Sequence, residues 1–304
     1  MKITVIGAGK VGSSVALNCS LRELGDVLLL DIVEGLPQGE AMDINHQLAE
    51  RGIDYTVRGS NSYDEMRDSD FVVIVAGVGR KPGMTRMDLL KTNAEIVKGV
   101  CNKLKNNAQN SKIIVVTNPV DPLTYLVIKS LGGQKTNIMG MGGMLDLSRF
   151  KEHISSVTKI SRDSIQALVI SEHGENLFPL VRFSSIGGIP LTEFITENES
   201  EDLIKKTKNI AAEVISLKGA TVYAPGNAVS AMVESIVKNK RAVLPVSALL
   251  EGEYGCNGIC IGVPCVLGSG GIEKIIELKL NETEKKFFDL GVQSVKNAIK
   301  SLSF

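Results

Sequence analysis

The 304-residue sequence has no excess of either charge. Its 34 Lys and Arg are matched by 34 Asp and Glu, and no basic run is dense enough to track a phosphate backbone or an anionic lipid surface. That balance argues against nucleic acid and membrane as partners, so any anion specificity has to be local. An apolar run of membrane-spanning length is also missing. The chain enters a strand pattern at once, Lys2-Ile3-Thr4-Val5-Ile6-Gly7, which leaves no space for a cleavable leader and sets the expectation of a cytoplasmic protein. Cysteines number five, an odd count scattered among apolar neighbours, as expected of reduced thiols. Cys256, Cys260 and Cys265 lie close together, but their spacing is not that of a zinc knuckle and no histidine is near, so no metal is expected. Proton transfer near neutral pH has only three histidines to draw on.

What is present is, first, an alternation. Apolar runs at Ile3–Ile6, Val27–Leu30, Phe71–Val75 and Lys112–Thr117 are each followed by an amphipathic segment: Lys10–Leu21, Gly35–Glu50, Met87 to about Asn107, and Pro122–Leu131. Strands of nearly continuous Val, Ile and Leu alternating with helices indicate a parallel sheet covered on both faces, a doubly wound α/β fold. After Ile138-Met139-Gly140-Met141-Gly142-Gly143 the pattern changes. Helical segments at Met144–Lys159, Ser200–Leu217, Ala228–Lys238 and Glu282–Leu302 are interspersed with strand-like pieces at Ile165–Ile170, Leu180–Phe183, Arg241–Leu250 and Gly258–Leu267. This grouping predicts two domains, a Rossmann-type unit over 1–142 and an α+β unit over 143–304. The apolar stripe of the helix from Ala228 suits either a subunit interface or the core.

Second, several short patterns carry chemistry. Gly7-Ala8-Gly9-Lys10-Val11-Gly12 joins a strand to a helix, and Asp31 ends the next strand, nineteen residues after Gly12. That arrangement binds a dinucleotide: the glycines admit the pyrophosphate and the carboxylate accepts the ribose hydroxyls. No arginine follows Asp31 to hold a 2′-phosphate, so NAD is favoured over NADP. Ala76-Gly77-Val78-Gly79-Arg80-Lys81-Pro82-Gly83-Met84-Thr85-Arg86 reads as a mobile cationic loop on a strand end, with two arginine forks suited to carboxylates. Asn118-Pro119 closes another strand at the carboxyl end of the sheet, where open α/β folds bind ligands, though Asn-Pro is also a common turn. Asp146 and Arg149 share a helix face, as two cleft residues or as a plain surface ion pair. His173, in Ser171-Glu172-His173-Gly174-Glu175-Asn176 at a strand end, is better placed for proton transfer than His46 or His153, each within a helical pattern.

The ordered series GAGKVG, Asp31, GRKPGMTRMDLLKTNAEIV, TNPVD, LDLSRF, SEHGENLFP, KGATVYAP and VLPVSALLEGEYG resembles the lactate/malate dehydrogenase family over nearly the whole chain, most nearly its lactate-dehydrogenase-like bacterial malate enzymes. The resemblance implies that His173 is the acid/base, oriented by Asp146, and that Arg149 grips the C1 carboxylate. It implies that Arg86 polarises the reacting carbonyl on loop closure, with Asn118 bonded to the same oxygen. It further implies that Asn93 and Val116-Thr117-Asn118 touch the cofactor and that Arg80 meets the distal end of the substrate. Oxaloacetate has two carboxylates for Arg149 and Arg80, whereas pyruvate would leave Arg80 unpaired, at about 3–5 kcal/mol if fully buried. Malate is therefore the expected substrate and lactate the nearest rival; an NAD-dependent glycosidase and a non-catalytic NAD-binding module are the more distant alternatives. A homodimer or homotetramer is expected. Gly79 and Glu175 depart from the proline and aspartate frequent at these positions, the first loosening the loop and the second lengthening an acidic side chain.

Overall fold

The computed structural model describes residues 1–79, 83–132 and 134–302. Its first half follows the alternation read from the sequence: β1 (Lys2–Ile6), α1 (Lys10–Leu21), β2 (Asp26–Leu30), α2 (Leu36–Glu50), β3 (Val57–Ser60), β4 (Phe71–Ile74), α3 (Arg86–Asn107), β5 (Lys112–Val115), α4 (Val120–Leu131) and β6 (Ile138–Gly140). Six parallel strands stand in the order β3-β2-β1-β4-β5-β6. Both faces are covered, as Val- and Ile-rich strands require. Val15 and Ala16 of α1 and Ala41 and Ile44 of α2 pack on one face, and Leu90 and Val97 of α3 with Leu123 and Leu126 of α4 on the other.

Then come α5 (Gly143–Thr158), β7 (Ile165–Gln166), β8 (Val169–Ile170), β9 (Phe178–Pro179), β10 (Ser185–Ile186), β11 (Ile189–Pro190), α6 (Glu197–Lys218), α7 (Tyr223–Val237), β12 (Ala242–Glu251), β13 (Asn257–Gly268), β14 (Gly271–Ile275) and α8 (Glu282–Lys300). Where the sequence suggests one strand over Ile165–Ile170 there are two, in separate sheets: β7 pairs with β10 and β8 with β9. Val181–Phe183 is a turn of 3-10 helix rather than a strand. The long antiparallel β12 and β13 do not form a sheet of their own. They extend the parallel sheet through Ser247, which faces Gly140 of β6, so that β3-β2-β1-β4-β5-β6-β12-β13-β14 is one nine-stranded sheet.

Helix α7 lies along α1 in the same chain. Ala228, Val229, Met232, Val233 and Ile236 are buried in the core, so this apolar stripe faces inward rather than toward a second subunit. At the rim, Glu234 pairs with Arg22 of α1 and with Lys238 and Lys240, and Arg22 Nη2 donates to Asn227 Oδ1 at 2.8 Å. Burial alone would raise the Glu234 carboxyl, but these three cations bring it down to about 2. All five cysteines are free thiols and buried. Burial pushes Cys19 and Cys265 up to about 12 and Cys101 up to about 11, which removes them from nucleophilic chemistry at neutral pH. No helix among the described residues is long and apolar enough to cross a membrane.

Candidate active site

The glycine turn sits at the carboxyl end of β1. Gly7 has φ +107°, and a Cβ on Gly12 would collide with the Gly7 carbonyl oxygen, so the turn closes this tightly only because both residues lack side chains. Gly9 caps α1 without a side-chain hydrogen bond, which leaves the first-turn N–H groups open to an anion. Lys10 is exposed and Val11 half-buried at the start of that helix. Asp31 stands across from the turn, its Oδ2 accepting the Ala8 N–H at 2.7 Å and its Oδ1 the Val33 N–H at 3.0 Å. A bare backbone cradle, an uncapped helix end and a carboxylate at the tip of the next strand fit NAD.

Two neighbouring strand ends continue this wall. Val116 and Thr117 follow β5 and are buried, with Thr117 Oγ1 donating to the Ala76 carbonyl at 2.8 Å; Asn118, the next residue, is exposed. Asn93, on α3, is fully buried. Its Oδ1 accepts the Val78 N–H at 2.8 Å, and its Nδ2 donates to the Asn118 carbonyl at 2.7 Å and to that of Val78 at 3.1 Å. One amide thus ties the base of the cationic loop to the residue that closes β5.

Helix α5 and the end of β8 supply the opposing groups. Asp146 lies in the first turn of α5, where a carboxylate is favoured by the helix dipole, and is 1% exposed. Its Oδ1 accepts Arg149 Nη1 at 2.9 Å, and its Oδ2 lies 2.6 Å from His173 Nδ1. The Asp146–Arg149 pair is therefore not the surface pair that its spacing equally allowed: it is buried and shared with a histidine 27 positions away. An ionised carboxylate only accepts, so Nδ1 carries the proton and Nε2 is left to face a ligand. Burial alone would lower the His173 pKa, but the charge of Asp146, its hydrogen bond and the charge of Asp121 outweigh that, and the pKa is raised. His46 is exposed on α2, and His153 contacts Thr207 at 3.2 Å.

Two carboxylates beside His173 were not singled out from the sequence. Asp121, in the first turn of α4, accepts the His173 backbone N–H at 2.8 Å, and burial pushes its carboxyl up to about 6. Glu172 is buried and pairs with Arg86. The signal for the first was the acid closing the Asn-Pro-Val-Asp run; for the second it was an acid two residues past the apolar β8, next to His173. Arg86 is itself the first residue of α3, which begins one residue earlier than the pattern predicts because Thr85 and Asp88 form a reciprocal capping box. Arg80 lies outside the described residues.

Comparison with known proteins agrees across the chain. Residues 1–140 match the family described as lactate/malate dehydrogenase, NAD binding domain, and residues 143–303 its alpha/beta C-terminal domain. A malate dehydrogenase of Shouchella clausii is 43% identical over 99% of this chain and 97% of its own length. Among solved structures, the malate dehydrogenase of Cryptosporidium parvum superposes with a TM-score of 0.96 at 38% identity, covering 99% of this chain and 98% of that one. A lactate dehydrogenase of Eimeria maxima, determined with NADH and oxamate, gives 0.95 at 39%, covering 99% and 93%. With both halves matched in order, the chain belongs to the lactate/malate dehydrogenase family.

Proposed function

We propose that this chain catalyses the reversible, NAD-dependent interconversion of (S)-malate and oxaloacetate. Full-length relatives at 40–43% identity are malate dehydrogenases, which favours malate over lactate. The observation that carries the chemistry is the single buried carboxylate of Asp146, bonded at once to His173 and Arg149. NAD, when bound, supplies the hydride acceptor at its nicotinamide. Residues Gly7 to Gly12 would cradle its pyrophosphate and Asp31 its ribose, while Val116, Thr117 and Asn118 would border it; Asn93 would act through the backbone it holds. In malate oxidation His173 Nε2 takes the hydroxyl proton, and the Asp146 charge stabilises the imidazolium that forms. Arg149 holds the C1 carboxylate, Arg86 and Asn118 stabilise the negative charge on the C2 oxygen, and Arg80 holds the distal carboxylate.

On this reading 1–142 is the cofactor part and 143–304 the substrate part, in a cytoplasmic homodimer or homotetramer whose partners are small dicarboxylates. Initial rates of NADH oxidation with oxaloacetate and with pyruvate, repeated with NADPH, test it. Oxaloacetate with NADH is expected to be fastest by about a hundredfold. Equal turnover of pyruvate would overturn the substrate assignment.

A further inference from the structure

The Arg86–Glu172 pair joins residues 86 positions apart, from the mouth of the cationic loop to the strand end that carries the imidazole. Its two members are unequally held. The Arg86 side chain is 37% exposed at the first turn of α3, whereas that of Glu172 is 6% exposed. Glu172 is fixed without the loop. Its Oε1 also accepts Ser294 Oγ of α8 at 3.0 Å, and its Oε2 accepts Asn176 Nδ2 at 2.6 Å. The backbone on either side is anchored too, with Ser171 bridged to Gly262 of β13 and the His173 N–H held by Asp121. The guanidinium meanwhile rests against Gly174, where φ is +155° and a Cβ would strike Arg86 Nη2.

We infer that Glu172 is a positioning residue for Arg86, a built seat that aims the loop arginine at the reacting oxygen. The inference rests on Arg86 being the group that faces that oxygen. A guanidinium has five N–H donors in a planar fork, so pairing through Nη2 with a fixed carboxylate sets the plane and direction of the rest. Glu172 precedes His173 directly, so the fork and the proton-transferring imidazole are referenced to one short stretch of backbone. The substrate oxygen then meets two groups whose separation does not depend on where the rest of the loop stands. In this role the carboxylate acts only through Arg86: it removes rotamer freedom from a partly exposed arginine.

The test is steady-state kinetics of the full-length protein with oxaloacetate and NADH for Glu172→Gln, Arg86→Gln, the double variant and Ser294→Ala. Aim at an oxygen that gains charge only in the transition state is read in kcat, so Glu172→Gln is expected to lower kcat about tenfold with KM changed by less than about twofold. Ser294→Ala, which loosens the seat without altering its charge, is expected to lower kcat about two- to threefold. Arg86→Gln is expected to lower kcat by about a hundredfold, and the double variant to be slower than Arg86→Gln by no more than about twofold. If the two single losses multiply in the double variant, Glu172 acts independently of Arg86 and the proposal fails while the role of Arg86 stands. Wild-type kcat in Glu172→Gln overturns it equally. Wild-type kcat in Arg86→Gln overturns both the proposal and the reading it rests on.

Discussion

Replacing Asp146 with asparagine preserves volume and removes a charge that two groups share. His173 Nδ1 lies 2.6 Å from one oxygen and Arg149 Nη1 2.9 Å from the other, so the change unpairs an imidazolium and a guanidinium together. Breaking a buried ion pair from one side costs about 3–5 kcal/mol, with the lower end apt for partners that keep some solvent contact. At about 1.36 kcal/mol for each factor of ten, that is a loss of at least about a hundredfold in kcat/KM for oxaloacetate. The pH profile makes the test sharper. Burial pulls the His173 pKa down, and Asp146 together with the charge of Asp121 pulls it up by more, so the wild-type value stands above the ordinary one. On the proposed mechanism oxaloacetate reduction consumes the proton on His173, so the rate should fall as pH rises through that pKa, while malate oxidation, which would need the neutral ring, should rise. Without Asp146 the falling limb of the reduction moves to lower pH. NADH absorbance traces across about pH 5 to 9 would show it. An Asp146→Asn protein within about threefold of wild type, or one that loses activity with no movement of the limb, refutes the coupling.

The other expectations are simpler. Gly12→Ala puts a methyl into the Gly7 carbonyl and forces the turn open, so NADH affinity measured by fluorescence titration should weaken by about tenfold or more. Arg80→Gln removes the cation expected to meet the distal carboxylate and should move the oxaloacetate-to-pyruvate ratio of kcat/KM toward pyruvate by about a hundredfold. Glu234→Gln should lower the melting temperature by a few degrees at neutral pH. The folded-state pKa of Glu234, about 2, lies below its ordinary value of 4.5, so its contribution is present above the latter and lost as pH falls through the former. Wild type and variant should therefore converge in melts near pH 2.

The cofactor half was legible because its signals are local. Gly7 to Gly12 follows a strand by one residue, and Asp31 ends the next, so spacing alone placed the turn and the carboxylate together. The proposed acid/base centre was legible only in parts: His173 and Asp146 each stood out, but a helix face and a strand end carry no mark of meeting. Arg149 read equally well as a surface partner because spacing along a helix says nothing about what covers it. Strand β3 was missed because Val-Arg-Gly-Ser has almost no apolar run, and as the outer strand beside β2 it needs none. Ile165–Ile170 read as one strand because all of its apolar residues have somewhere to pack, yet its two ends pair with different neighbours. The Glu172 seat drew no notice because charge complementarity across 86 positions leaves no periodicity.

The junction of β6 and β12 bears on how a substrate is enclosed. Gly140 and Ser247 make the ladder continuous between the strands that end at the dinucleotide turn and the hairpin whose Gly262 pins Ser171. A cleft whose walls share one sheet does not open and shut by swinging its halves apart, as proteins hinged between separate bodies do. The separation between the Gly7–Gly12 turn and His173 is then spanned by one continuous ladder, like the gauge of a track.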